Sequence, residues 1–235
     1  MRVVFLASLR HAGRYGRIES YMRILVTAGP TREHLDPVRF ISNRSTGKMG
    51  FAIAAAAAAA GHETVLVAGP VSLVTPPDVR RVDVVSARDM LAAVQDELPD
   101  ADALVMCAAV ADWRPKTESA LKLKKGTMSP VLELEPNPDI LRTIAPLKGG
   151  RVFVGFAAET GDPVPEAERK LAAKGLDMVV ANDVSSPDSG FAVDTNRVTF
   201  VFPNGRRTYL PLLTKAEVAA RVVAAVEQAV LRASK

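Results

Sequence analysis

Residues 22–61, MRILVTAGPTREHLDPVRFISNRSTGKMGFAIAAAAAAAG, decide the fold. ILVT (24–27) is a short apolar run of the kind that forms a buried strand. A long polar stretch follows to residue 46, and then an alanine-rich segment over about 48–60 that ends at Gly61, a good residue just past a helix. Strand, long loop and helix in that order form the opening unit of an open α/β sheet. Such sheets bind ligands at the carboxyl ends of their strands, where this loop lies. A strand-to-helix connection of this length is usually functional.

The loop ends in Gly47-Lys48, which invites a phosphate-loop reading. That template needs Gly five residues before its Gly-Lys and Ser or Thr after it; Ser42 and Met49 occupy those places, so it fails. What remains is a helix mouth with small and basic residues around it. Gly47 and Gly50 allow close backbone approach, Ser45 and Thr46 bring hydroxyls, and Arg39, Arg44 and Lys48 bring positive charge, a combination that favours an anion. A dinucleotide site is not indicated. There is no G-x-G-x-x-G, the second strand ends VAGP without an acidic residue, and no Tyr-x-x-x-Lys pair occurs.

Beyond Gly61 the alternation continues. Strands are expected at 64–68, 82–85, 103–107, 131–134, 152–156 and 177–181. A helix opened by a Ser86/Asp89 capping box runs to about 97, and another spans about 163–174 before Gly175. Continuous apolar strands alternating with helices mean a mainly parallel sheet covered on both faces, a Rossmann-like three-layer α/β/α fold. The rhythm breaks near the end. RVTFVF and RRTYLPL flank Asn204-Gly205, a hairpin signal, and Thr214/Glu217 open a last helix to about 233. The expected domain is 22–235, with residues 1–21 a tail or miscalled start.

Composition sets the bounds. The 235 residues are 48% apolar and 24% charged, with net charge +4, ordinary for a globular domain and receptive to small anions. Aromatics are 5% and the basic residues cluster at strand ends, so a nucleic-acid-binding module is not expected. One cysteine and three separated histidines exclude an intrachain disulfide framework and give no zinc-ligand spacing. They fit a reducing, cytoplasmic setting. No apolar run is long enough for a membrane span.

Several further stretches carry chemistry. CAAVADWRP (107–115) follows the central strand candidate and is expected to aim Asp112 and Arg114 into the same cleft as the opening loop. Cys107 has no companion His in any motif and reads as a buried strand cysteine. KLKK (122–125) reads as a solvated loop or as a lid over a polyphosphate. Asn137-Pro138-Asp139 has the form of a helix start, with Asn as cap. Lys170 and Lys174 share one helix face, with Glu166 placed to relieve Lys170.

Taken in order, TAGPTREHLDPVRFISNRSTGKMG, VDVVSARDML, CAAVADWRP, KLKK, NPDIL, VGFAAET and KGLDMVVANDVS resemble the phosphopantothenate–cysteine ligases of coenzyme A biosynthesis. That resemblance implies ligation of 4′-phosphopantothenate to L-cysteine through an acyl-nucleotide, with CTP in the bacterial type and ATP as the alternative. Magnesium would arrive on the triphosphate, without a dedicated protein cage and with metal ligands unknown; no flavin is implied. By motif, Ser45, Gly47 and Gly50 would line the triphosphate site beside Lys48. Asn43 would hold the acyl-nucleotide, and Lys122 would stabilise charge during activation. Ala108, Ala109 and Asp112 would meet the substrates. Pro138, Asp139, Ile140, Leu141, Phe156, Lys170 and Lys174 would contact the nucleotide. Arg39 would reach across a homodimer interface that the late hairpin helps to build. Many bacterial members are fused to a flavin-dependent decarboxylase; 21 residues cannot hold that half, which implies a stand-alone ligase with a possible separate decarboxylase partner.

Overall fold

The computed structural model describes residues 21–126, 131–186, 188–190 and 193–233. Its centre is an eight-stranded sheet. In chain order its strands are β1 (Arg23–Ala28), β4 (Glu63–Ala68), β5 (Val79–Asp83), β6 (Ala103–Met106), β9 (Val152–Glu159), β10 (Met178–Asp183), β12 (Val198–Val201) and β13 (Arg207–Tyr209). Three small ladders lie outside it: β2 (Arg32–His34) with β3 (Phe40–Ser42), β7 (Trp113–Pro115) with β8 (Leu134–Pro136), and β11 (Thr195–Asn196) with β14 (Leu213–Thr214).

Spatially the order is β13-β12-β10-β9-β6-β1-β4-β5. The run from β10 to β5 is parallel throughout, while β12 and β13 add antiparallel strands at one edge. The chain starts in the middle, at β1, works outward to β5, and returns to β6 on the other side of β1. That reversal makes the β1/β6 boundary a topological switch point, where a crevice opens beyond the strand ends.

Helices α1 (Lys48–Ala59) and α5 (Lys215–Ala233) cover one face; α2 (Ala87–Glu97), α3 (Ile140–Ile144) and α4 (Val164–Lys174) cover the other. The strands are buried on both sides, so their apolar runs divide by alternation between two cores. Ile24, Val26, Val105, Val154 and Val180 meet α1 and α5, whereas Leu25, Leu104, Phe153 and Val179 meet α2, α3 and α4. The alanine run of α1 is used for proximity. At Gly50 an added Cβ would lie 2.5 Å from Ala28 Cβ and 2.9 Å from Thr27 O, so the first turn of α1 sits directly on the end of β1. Gly50 is required by packing, a reason apart from phosphate approach. No helix among the described residues is long and apolar enough to cross a membrane.

Several local expectations are corrected. The opening loop contains the β2–β3 hairpin, turned by Asp36, whose carboxylate accepts from the Val38 and Arg39 amides at 2.8 Å each. VLEL (131–134) is not a sheet strand: only Leu134 enters β8, in the outlying ladder, and Val131, Leu132 and Leu134 are exposed. The strand expected at 82–85 is β5, three residues earlier at its start. Asn137 is not a helix cap. Asp139 caps α3 by accepting from Arg142 N at 3.2 Å, while Asn137 donates to Ala111 O at 2.8 Å. The late hairpin exists and continues the main sheet edge as β12–β13. Both capping boxes form, Ser86 with Asp89 and Thr214 with Glu217.

Candidate functional site

A cavity of about 720 Å³ opens over the carboxyl edge of the sheet at the switch point. Three walls build it. The first is the mouth of α1. Gly47 precedes the helix in a left-handed conformation (φ 78°), with no side-chain cap and no acidic residue in the first turn. The helix's leading N–H groups and its positive pole therefore face the cavity without a fixed anion against them. Ser45 Oγ accepts from Gly47 N at 3.3 Å, which tightens the turn.

The second wall is the segment after β6. Buried Thr27 and Thr31 hold it from the β1 side: Ala108 N donates to Thr27 Oγ1 at 3.1 Å and Ala111 N to Thr31 Oγ1 at 3.0 Å. Ala109 N donates to Gly29 O at 2.9 Å. Asn43 spans the gap between the first two walls, its carboxamide donating to Ala109 O and Val110 O at 3.1 Å each. Small side chains here leave the backbone open to a ligand. Cys107 lies one residue past the end of β6 and is partly exposed at the cavity floor. Desolvation pushes its thiol up to about 12, which disfavours the thiolate a nucleophile would need.

The third wall joins α3, β9 and α4. Lys174 pairs with Asp139 at 2.8 Å, and Lys170 donates to Phe156 O. Glu166 forks onto Arg169, so the expected relief of Lys170 by Glu166 is not the pairing observed. Burial, and then the neighbouring Lys174, push Lys170 below the usual lysine range. Asp139 would be raised by burial, but Lys174 and the Arg142 amide hold it below the ordinary value.

The cavity thus collects Asn43, Ser45, Gly47, Lys48, Gly50, Ala108, Ala109, Asp112, Pro138, Asp139, Ile140, Leu141, Phe156, Lys170 and Lys174. It does not collect Arg39, Lys122 or Arg114. Arg114 turns away to Glu135 (2.7 Å) and Asn137. Arg39 forks onto Asp36 and also donates to Leu123 O at 2.6 Å. The Arg39 guanidinium holds the Asp36 carboxyl well below the usual carboxylate range. Leu123 N returns a bond to Asp36 at 3.1 Å, so the KLKK loop is pinned to the β2–β3 turn while Lys122 itself points to solvent.

Sequence reasoning missed a fourth group lining the same cavity: Asn182, Asn196 and Lys215, with Lys48 paired to Asp194 at 2.7 Å. Asn182 is the penultimate residue of β10 and a buried amide, and a polar residue near the end of an apolar strand was its available signal. Lys215, only 6% exposed, opens α5. A cation at a helix's positive end was its signal. Among the described residues no group of three or more His, Cys, Asp or Glu side chains could hold a metal ion.

An open α/β sheet with its anion-receptive cavity at the switch point defines a doubly wound protein of the ligand-binding kind. The chain belongs to the family described as DNA/pantothenate metabolism flavoprotein C-terminal domain, whose model matches residues 20–230. It is 48% identical over 204 residues to the coenzyme A biosynthesis bifunctional protein CoaBC of Vibrio cholerae, covering 86% of this chain and 51% of that protein. Against the Bacillus subtilis protein of the same name identity is 45% over 201 residues, with 85% and 50% covered. The chain spans about half the length of these curated relatives. The crystal structure of a CoaBC C-terminal domain superposes with TM-score 0.76 at 43% identity, over 88% of this chain and 94% of that one. A Cab2 variant solved with phosphopantothenate-cysteine shares the fold at TM-score 0.76 and 18% identity, over 91% of this chain and 88% of that one.

Proposed function

We propose that this chain joins 4′-phosphopantothenate to L-cysteine through an acyl-nucleotide. The observation that carries the reading is the meeting, in one cavity, of Asn43, Ala108, Ala109 and Asp112 with the uncapped mouth of α1, in a chain of this family. The substrate carboxylate attacks the α-phosphorus of CTP, a P–O bond breaks, and pyrophosphate leaves. The cysteine amine then attacks the acyl carbon, loses a proton, and CMP departs. Neither step needs a covalent protein intermediate; both need alignment and neutralised charge.

In this reading the leading N–H groups of α1, Ser45 and Lys48 receive phosphate oxygens. Lys170, Lys174, Phe156 and residues 138–141 hold the nucleoside side, and Asn43 with Asp112 orients the acyl group. Lys122 approaches the phosphates by loop closure. Magnesium enters as the triphosphate complex. CTP is the proposed triphosphate; ATP is the competing one, because backbone near Phe156 and Ala108 faces the base. Arg39 serves the cavity of a second copy in a cytoplasmic homodimer. Exposed Val38, Phe40, Trp113 and Leu134 lie on the β2–β3 hairpin that carries Arg39 and on the neighbouring β7–β8 ladder, an apolar face suited to that contact.

The test is pyrophosphate release with 4′-phosphopantothenate, magnesium and either CTP or ATP, with and without cysteine. Release with CTP, and ligated product only with cysteine, is expected. Faster release with ATP overturns the CTP assignment alone, and none with either overturns the ligase.

A further inference from the structure

Lys215 is an expensive residue in its place. Its side chain is buried, and it stands at the first position of a 19-residue helix, where the helix dipole opposes a cation. Burial, and then the charge of nearby Lys48, push its pKa below the usual lysine range. A methionine or leucine would fill the same space without those penalties.

Its bonds show what the charge is used for. Lys215 Nζ donates to Gly190 O at 2.8 Å and to Val193 O, and its backbone N–H donates to Asp194 O at 2.9 Å. Directly beside it the β11–β14 ladder pairs Thr195 with Thr214. The chain leading into β11 is therefore fastened to the head of α5 at several points. Asp194 then projects outward, its side chain 86% exposed, and meets Lys48 Nζ at 2.7 Å. Lys48 is the first residue of α1, at the uncapped mouth. Both lysines line the cavity.

We propose that Lys215 is a positioning residue: by fastening Gly190 and Val193 to α5 through its ammonium, beside the backbone bond that holds Asp194 O, it fixes the carboxylate that sets Lys48 beside the anion-receptive turn. The inference rests on the nucleotide reading of that turn and adds a residue to it. Lys215 acts through Lys48, so its removal weakens triphosphate binding more than turnover.

The experiment measures the dissociation constant for magnesium–CTP by calorimetry, together with kcat at saturating substrates. The proteins are wild type, Lys215→Met, Lys48→Met and the double variant. Lys215→Met is expected to raise the dissociation constant about tenfold while kcat changes less than about threefold. The double variant is expected to bind no worse than Lys48→Met alone, because both lesions remove one interaction. Unchanged affinity in Lys215→Met, or losses that multiply in the double variant, overturns the proposal. Should Lys215→Met fail to fold, Asp194→Ala tests the same link from an exposed position. Weaker CTP binding that does not add to Lys48→Met supports it, and unchanged or tighter binding overturns it. Wild type that binds neither CTP nor ATP sinks the nucleotide reading instead, a distinguishable outcome.

Discussion

The α1 mouth and the Arg39–Lys122 arm were both recognisable in sequence, yet the fold treats them differently. The mouth is fixed by close backbone packing and one side-chain tie. Gly50 lies against β1, Gly47 turns left-handed, and Asn43 is bolted to the backbone after β6. The arm is held by polar bonds centred on Asp36, which binds Arg39 and Leu123 N while Arg39 binds Leu123 O, and Lys122 is left facing solvent. One region is built rigidly against the sheet; the other, in the function proposed above, would act by closure or from a second copy. Residues recognised by motif therefore need not lie together within one chain.

The sharpest way to break the contrast is Lys122→Ala. If the arm closes during activation, kcat should fall by about 10²–10³-fold, with the melting temperature unchanged because the residue is exposed. A loss below about threefold would mean the arm is only a tether. Gly50→Ala attacks the other region: overpacking against Ala28 should cost about 2–3 kcal/mol in urea unfolding, and CTP affinity should fall with it. Arg39→Ala and Asn43→Ala, each inactive alone, should recover about a quarter of wild-type activity when mixed and allowed to exchange, as expected if Arg39 works in trans. No recovery would return Arg39 to its own subunit.

Asp36 offers a pH test of the arm. Its folded pKa is depressed, so its contribution is present above the ordinary carboxylate value and is lost as pH falls. Wild-type melting should drop below about pH 4 more steeply than that of Asp36→Asn, which is less stable at neutrality. The smallest effect belongs to Lys170. Protonated, it favours an anion; its pKa is lowered, so CTP affinity should decline with rising pH somewhat before the ordinary lysine value of about 10.4. Lys170→Met should flatten that alkaline limb in calorimetric titrations.

The parallel sheet was legible because its strands are apolar on both faces and its helices keep their caps, as at Ser86 and Thr214. The small ladders were not, since a three-residue strand is too short to show alternation. VLEL misled for a physical reason: exposed Val131, Leu132 and Leu134 carry the apolar signature of a core strand without the burial. Most of the cavity was readable from residues adjacent in sequence to a strand end. Lys215 and Asp194 were not, because their partners Lys48, Gly190 and Val193 are set by how α5 closes onto the sheet. Asn137 was misread because a helix-start pattern hid a tertiary bond to Ala111.

Cys107 carries a consequence for chemical fidelity. An acyl-nucleotide is a potent acyl donor, and the reaction proposed here must hold one in reach of a sulfur at the cavity floor. Desolvation favours the thiol form of that sulfur, which in the proposed reaction would disfavour acylation of the protein itself.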